Sequence, residues 1–177
     1  NLNIKIKPNE FTAILGKSGT GKSSLAKMLL RINNLTKGKI LLDNVNLYNY
    51  NIDYLRSNIN YINQKTQLFN ESIIYNLAYG NNKNLKEIIY LLKKYDLLSI
   101  YDRLEHKLHT NAGINGSNLS LGMQKITILI RGLLKKYPII IIDEPLAGLD
   151  KNSRLKVCKL IKDKCKNSTT IIITHDM

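Results

Sequence analysis

Cysteine, acidic residues and long apolar runs are all scarce in this chain, and each shortage removes a class of protein. The two cysteines, Cys158 and Cys165, form no Cys-x-x-Cys pair. That excludes a disulfide-stapled scaffold, gives no zinc or redox motif, and suits a reduced compartment. Seven positions apart on one expected helix, they should share a face as half-buried apolar side chains. No uninterrupted apolar stretch approaches the roughly 18–20 residues of a membrane-spanning helix. Neither an internal repeat nor a low-complexity linker interrupts the chain. Against 27 Lys+Arg stand only 13 Asp+Glu, a formal net charge of +14. The lysines are spread along the chain among abundant Asn and Ile, and are densest at Lys135-Lys136 and between Lys151 and Lys166. This distribution reads as a solvated basic surface, and nucleic acid is not expected as a partner.

What is present fits one domain. The 177 residues suffice for a core, and the 44% apolar fraction is ordinary for a globular chain. The opening Asn1-Leu2-Asn3-Ile4-Lys5-Ile6 has no starting Met and no charged-then-apolar export leader, and the chain reads as a piece of something longer.

The most informative stretch is Gly16-Lys17-Ser18-Gly19-Thr20-Gly21-Lys22-Ser23, which fits the phosphate-binding pattern G-x-x-x-x-G-K-[ST]. An apolar run, Phe11–Leu15, precedes it and a helix-like run from Ser24 to Arg31 follows. Glycine lets the backbone wrap closely around a phosphate, and the helix start aims amides and the positive dipole end at the anion. Lys22 supplies a point charge for the β- and γ-phosphates, and Ser23 offers a hydroxyl to Mg²⁺.

Around this loop the pattern alternates. Ile40–Leu42 and Tyr61–Asn63 read as short strands, and Asp53–Asn58 as a short helix. From about Lys65 to Asn118 the chain reads as helical, with apolar residues at 85, 88, 89, 92 and 95 in helical spacing. Helices are expected from Ser120 to Tyr137, stopped by Pro138, and from Ser153 to Lys166. Ile139–Ile142 and Thr169–Ile173 read as strands covered on both faces, so the class is α/β with a mostly parallel sheet. Ile139–Ile142 delivers Asp143 and Glu144 at its carboxyl end, where such sheets place ligand chemistry. Asp143 there is expected to hold Mg²⁺ and Glu144 to polarise the attacking water. Gln64 and His175 each follow an expected strand.

Taken in order, these elements resemble the nucleotide-binding domain of ABC transporters. The resemblance rests on the phosphate loop; on Gln64 in the place of the Q-loop glutamine; on Asn118-Leu119-Ser120-Leu121-Gly122-Met123-Gln124 in the place of the Leu-Ser-Gly-Gly-Gln signature; on Asp143 and Glu144; on Ala147-Gly148-Leu149-Asp150 as the D-loop; and on His175 as the switch histidine. The run from Gln64 to Gly80, with Leu68-Phe69, Ser72-Ile73, Asn76-Leu77 and Tyr79-Gly80, is similar to exporter-type members. The resemblance implies a phosphate-loop NTPase fold, a parallel sheet flanked by helices, with a helical subdomain at about 65–118 inserted into a core formed by 1–64 and 119–177. It implies a Mg²⁺-dependent ATPase at the cytoplasmic face of a membrane, coupled to an exporter-type transmembrane domain expected in the same full-length chain. Two such domains, identical or different, would sandwich ATP head to tail.

On that reading Gly16 to Ser24 with Gln64 bind ATP, and Ser23, Gln64 and Asp143 serve the metal. Glu144 is the general base, with Lys22 and His175 at the γ-phosphate. Ser120, Leu121, Gly122 and Met123 face the partner's ATP, and Asp150 lies in the D-loop. The pattern departs in three places. Leu121 replaces the first signature Gly and Met123 the Gln, so added bulk and any need for positive φ set Leu121 apart. Ile114 stands where exporters carry Glu, so a charged contact to the membrane domain is expected to be lost. The adenine-stacking aromatic of the family lies upstream of the phosphate loop, outside these residues. Two other readings stay open: a soluble ABC-type ATPase acting on nucleic acid or ribosomes, and a regulatory cassette with weak turnover.

Overall fold

The structure is a computed structural model that describes residues 2–17, 19–63, 65–81 and 84–175. In chain order the elements are β1 (Phe11–Leu15), α1 (Lys22–Leu29), β2 (Leu41–Leu42), β3 (Val45–Asn46), α2 (Ile52–Asn58), β4 (Ile59–Ile62), α3 (Ile73–Ala78), α4 (Leu85–Lys94), α5 (Leu121–Leu133), β5 (Ile139–Asp143), α6 (Lys151–Lys164) and β6 (Thr169–Thr174). The chain divides into two compact units. The first comprises residues 1–63, 137–144 and 167–177, and the second 64–136 and 145–166.

The first unit is built on a parallel sheet in the order β1-β6-β5-β4, with β2 and β3 as a separate antiparallel pair. β5 is central because it can be: Ile140, Ile141 and Ile142 are at most 2% exposed, so consecutive side chains are buried on opposite faces. One core cluster joins Ala26 and Leu30 at the end of α1 and Leu55 of α2 to Ile59, Ile141, Ile171 and Ile173 of the sheet. The helices therefore flank the sheet through a few small or branched apolar side chains. Asn51 starts α2 by accepting hydrogen bonds from the Asp53 and Tyr54 amides.

The second unit is helical. A capping box between Asn84 and Glu87 opens α4, which buries Ile88, Leu91 and Leu92. Ser120 caps α5 and Asp150 caps α6. Lys94 reaches Asp163 at 2.7 Å, with Tyr95 hydrogen-bonded to the same carboxylate, and Lys156 pairs with Asp96 at 2.7 Å. These pairs tie α6 to α4, and the Asn81 amide donates to the Arg131 carbonyl of α5. With α5 packed on α3, α5 and α6 both fall in this unit, which spans more of the chain than 65–118.

Several expected boundaries shift. Much of 65–118 is not regular helix: beyond α3 and α4 it holds 3₁₀ turns at 98–100, 107–109 and 114–116. Left-handed residues at Asp96, Lys107, Gly113, Asn115 and Gly116 break any longer helix. α5 ends at Leu133 rather than Tyr137, and α6 starts at Lys151, two residues before Ser153. The cysteines do not share a half-buried face. Cys158 is exposed, outside the stripe of Val157, Leu160 and Ile161, whereas Cys165, at the C-cap of α6, is fully buried.

Candidate nucleotide site

The phosphate loop leaves β1 and enters α1. Gly19 and Gly21 have φ of 82° and 91°, a left-handed backbone that strains any side chain. Gly16 is tight for a different reason: a Cβ there would stand 3.1 Å from Thr20 Oγ1, so that hydroxyl would have to give by a few tenths of an ångström. Gly21 occupies the N-cap of α1, and no side chain caps the helix start. Its first amides are thus not claimed by a capping oxygen, which is the condition for anion binding at a helix start. Lys22 Nζ turns back on its own loop, donating to the carbonyls of Gly16 at 2.5 Å and Lys17 at 2.9 Å. Thr20 Oγ1 also donates to the Lys17 carbonyl, at 2.9 Å. Ser23 and Ser24 are exposed beside them.

Ser23 is separated from Asp143 by 120 positions in sequence, yet its Oγ donates to Asp143 Oδ2 at 2.8 Å. The topology explains the meeting: the loop follows β1, Asp143 ends β5, and β6 lies between them in one parallel sheet. The same Oδ2 accepts a second hydrogen bond, from Tyr61 Oη at 3.0 Å. Burial first, then the negative Asp143 carboxylate, push the Tyr61 phenol well above its ordinary pKa.

Glu144 continues from Asp143 with φ of 53°, an unusual conformation for a residue with a side chain. Its amide still continues the parallel ladder, donating to the Ile173 carbonyl at 2.8 Å, and the chain turns away only after it. Its side chain, 11% exposed, lies against the end of β6. Thr174 Oγ1 donates to Oε2 at 3.3 Å, and His175 Nδ1 lies 2.6 Å from Oε1. With the ring proton on Nδ1, that nitrogen donates to the carboxylate.

The signature segment and Asp150 belong to the second unit. Ser120 Oγ accepts the Met123 amide at 3.3 Å as the N-cap of α5. Leu121 is 71% exposed and is absent from the left-handed residues, so the anticipated backbone conflict does not arise. Met123 is buried, and Gln124 Nε2 ties the segment down by donating to the Gly116 and Leu119 carbonyls, each at 2.9 Å. Lys125 Nζ donates to the Ala147 carbonyl at 2.6 Å, linking α5 to the segment before α6. Asp150 is an N-cap, accepting from the Asn152 and Ser153 amides and from Ser153 Oγ. The Ser153 hydrogen bonds hold its carboxyl below the usual range. Ser18 and Gln64 lie outside the described residues.

The structure therefore gathers the phosphate loop, Asp143, Glu144 and His175 on one unit. Sequence reasoning missed Tyr61 and Thr174. The signal for Tyr61 was register, since it pairs with Ile141, two residues before Asp143 on the same face of β5.

The donor set fits a nucleoside triphosphate with Mg²⁺. Among the described residues no three His, Cys, Asp or Glu side chains gather as a metal site. Ser23 and Asp143 together are hard oxygen donors, the kind that would hold Mg²⁺ beside substrate phosphates.

The profile of a family described as ABC transporter matches residues 1–147. The ATP-dependent lipid A-core flippase of Wigglesworthia glossinidia brevipalpis is 36% identical over 180 residues, covering 99% of this chain and 30% of the flippase. ABC transporter ATM1 of Plasmodium falciparum (isolate 3D7) is 38% identical over 178 residues, covering 100% of this chain and 17% of that protein. A solved structure of a bacterial Atm1-family ABC exporter with ATP bound superposes with a TM-score of 0.86 at 30% identity, over 97% of this chain and 30% of the exporter chain. The chain thus spans less than a third of the length of these relatives.

Proposed function

We propose, from the premise that this chain belongs to the ABC transporter family, that it binds and hydrolyses ATP to drive an exporter-type transmembrane domain. The carrying observation is the 2.8 Å contact between Ser23 of the phosphate loop and Asp143 at the end of β5, with Glu144 next in the chain. Among the described residues no helix is long and apolar enough to cross a membrane, so the membrane part must come from other residues or another chain.

The amides of residues 19–23 hold the β- and γ-phosphates, and Lys22 exchanges loop carbonyls for phosphate oxygens. Ser23 and Asp143 are the residues that would hold Mg²⁺, which supplies charge neutralisation at the phosphates when bound. Glu144 takes the proton of the attacking water. A carboxylate has about four acceptor sites, so the hydrogen bonds from Thr174 and His175 orient it and still leave room for a water. His175, whose contact with Glu144 supports the reading, assists at the γ-phosphate. Gln64 reports the state of the site to the membrane domain.

A second ABC ATPase domain, identical or different, completes the site head to tail. In its cap Ser120 uses a hydroxyl lone pair to accept the Met123 amide. The hydroxyl proton remains to donate to a phosphate on the partner, alongside the first amides of α5. The likeness to exporters supports the cytoplasmic face of a membrane as the location. The soluble nucleic-acid reading has only the +14 charge behind it.

The test is Glu144→Gln in the full-length protein in lipid. ATP binding should persist while hydrolysis falls about 10²–10⁴-fold, the usual contribution of a positioned general base. Turnover at the unmodified rate removes Glu144 from this role.

A further inference from the structure

We infer that Tyr61 is a positioning residue for the Ser23–Asp143 pair, its hydroxyl holding the carboxylate in the orientation the metal requires; this rests on the function proposed above. Asp143 Oδ2 accepts two O–H donors, Ser23 Oγ at 2.8 Å and Tyr61 Oη at 3.0 Å. The two donors differ in stiffness. Ser23 is exposed at the start of α1, and its hydroxyl turns freely about a single bond. Tyr61 sits on β4, hydrogen-bonded in register with β5, and its ring packs against the core cluster that includes Ile141 and Ile171. Its hydroxyl is therefore fixed by the sheet and not by the loop.

Geometry explains the reach. Tyr61 lies directly across from Ile141, and Asp143 is the next residue on that face of β5. A diagonal neighbour two residues along on the adjacent strand lies within range of an aromatic or other long side chain. When Ser23 turns its oxygen toward a cation, Tyr61 remains as the donor that keeps Asp143 from rotating away.

The closing experiment uses the full-length protein in lipid carrying Glu144→Gln, so that nucleotide is not consumed. Binding of a fluorescent ATP analogue is followed as Mg²⁺ is titrated. Tyr61→Phe should raise the Mg²⁺ concentration for half-maximal binding about tenfold, the lower range for one hydrogen bond to a charged group. Binding without Mg²⁺ should stay unchanged. Tyr61→Leu, which also removes the ring, should show the same Mg²⁺ shift together with a lower melting temperature. A Tyr61→Phe half-saturation within twofold of the parent overturns the inference. Equal loss of binding with and without Mg²⁺ overturns it in favour of simple packing. If the parent itself shows no Mg²⁺-dependent binding, the proposed nucleotide site fails, and this inference falls with it.

Discussion

Asn76 offers the sharpest test of how the segment after Gln64 is held. It is fully buried on α3, an unusual place for an amide side chain. Its Oδ1 accepts the Phe69 amide at 2.9 Å. Its Nδ2 donates toward the carbonyls of Phe69, Glu71 and Ser72 at 3.1, 3.3 and 3.1 Å. One side chain thus does for residues 69–72 what a sheet or helix ladder does elsewhere. Asn76→Ala does not orphan all four groups. The Phe69 carbonyl keeps the Glu71 amide, the Glu71 carbonyl keeps the Ala112 amide, and the Ser72 carbonyl keeps the Asn76 amide. Only the Phe69 N–H loses its acceptor. A donor left unsatisfied against the fully buried site of the Asn76 side chain costs about 1–3 kcal/mol, and loss of the second donors to three carbonyls adds to it, so roughly 2–3 kcal/mol is expected.

Asn76→Asp discriminates further. It keeps the acceptor for Phe69 but sets a second oxygen against three carbonyls. That site favours the protonated acid, so the folded-state pKa of the new carboxyl is raised. Its destabilisation therefore grows as pH rises through the ordinary carboxylate range near 4 and is greatest at neutral pH. Hydrogen exchange read by mass spectrometry on a peptide spanning residues 68–77 measures the local opening directly. A loss of 2–3 kcal/mol corresponds to roughly 30–150-fold faster exchange. Exchange within threefold of wild type for Asn76→Ala refutes the accounting. Undiminished protection of Asn76→Asp at pH 7 refutes the direction of the amide.

Leu121→Gly should raise ATP turnover, because the exposed leucine stands at the start of α5 where the partner's phosphate would dock; turnover equal to wild type sinks that steric reading. Lys94 and Tyr95 hold the Asp163 carboxyl down at about 2, so their tie is complete above the ordinary carboxylate value and is lost as pH falls toward 2. The melting-temperature difference between wild type and Asp163→Asn should accordingly narrow as pH drops from 5 toward 2, and a gap that widens contradicts the assignment.

The contrast between Ser23 and Tyr61 shows where sequence stops being informative. Ser23 is legible because its chemistry is written in eight contiguous residues whose glycine spacing is dictated by the approach of a phosphate. Asp143 is legible because four isoleucines mark a strand buried on both faces, and the residue after such a strand emerges at the edge where ligands sit. Tyr61 meets the same carboxylate oxygen but carries no local mark, since its role exists only once β4 pairs with β5 in one register. A slip of one residue would turn its side chain to the opposite face. Asn76 stands in the exporter-like run, but what it does is hidden for the same reason, because its partners are backbone groups that any sequence possesses. The overextended helices fail in a related way. Apolar spacing fits α4 well, but between 96 and 116 the left-handed positions at Asp96, Lys107 and Asn115 are filled by residues that do not advertise them as glycine would. Contiguous motifs thus record what the ligand demands of the backbone. What the sheet and buried carbonyls demand of side chains is recorded in register and burial, and these exist only in the folded chain.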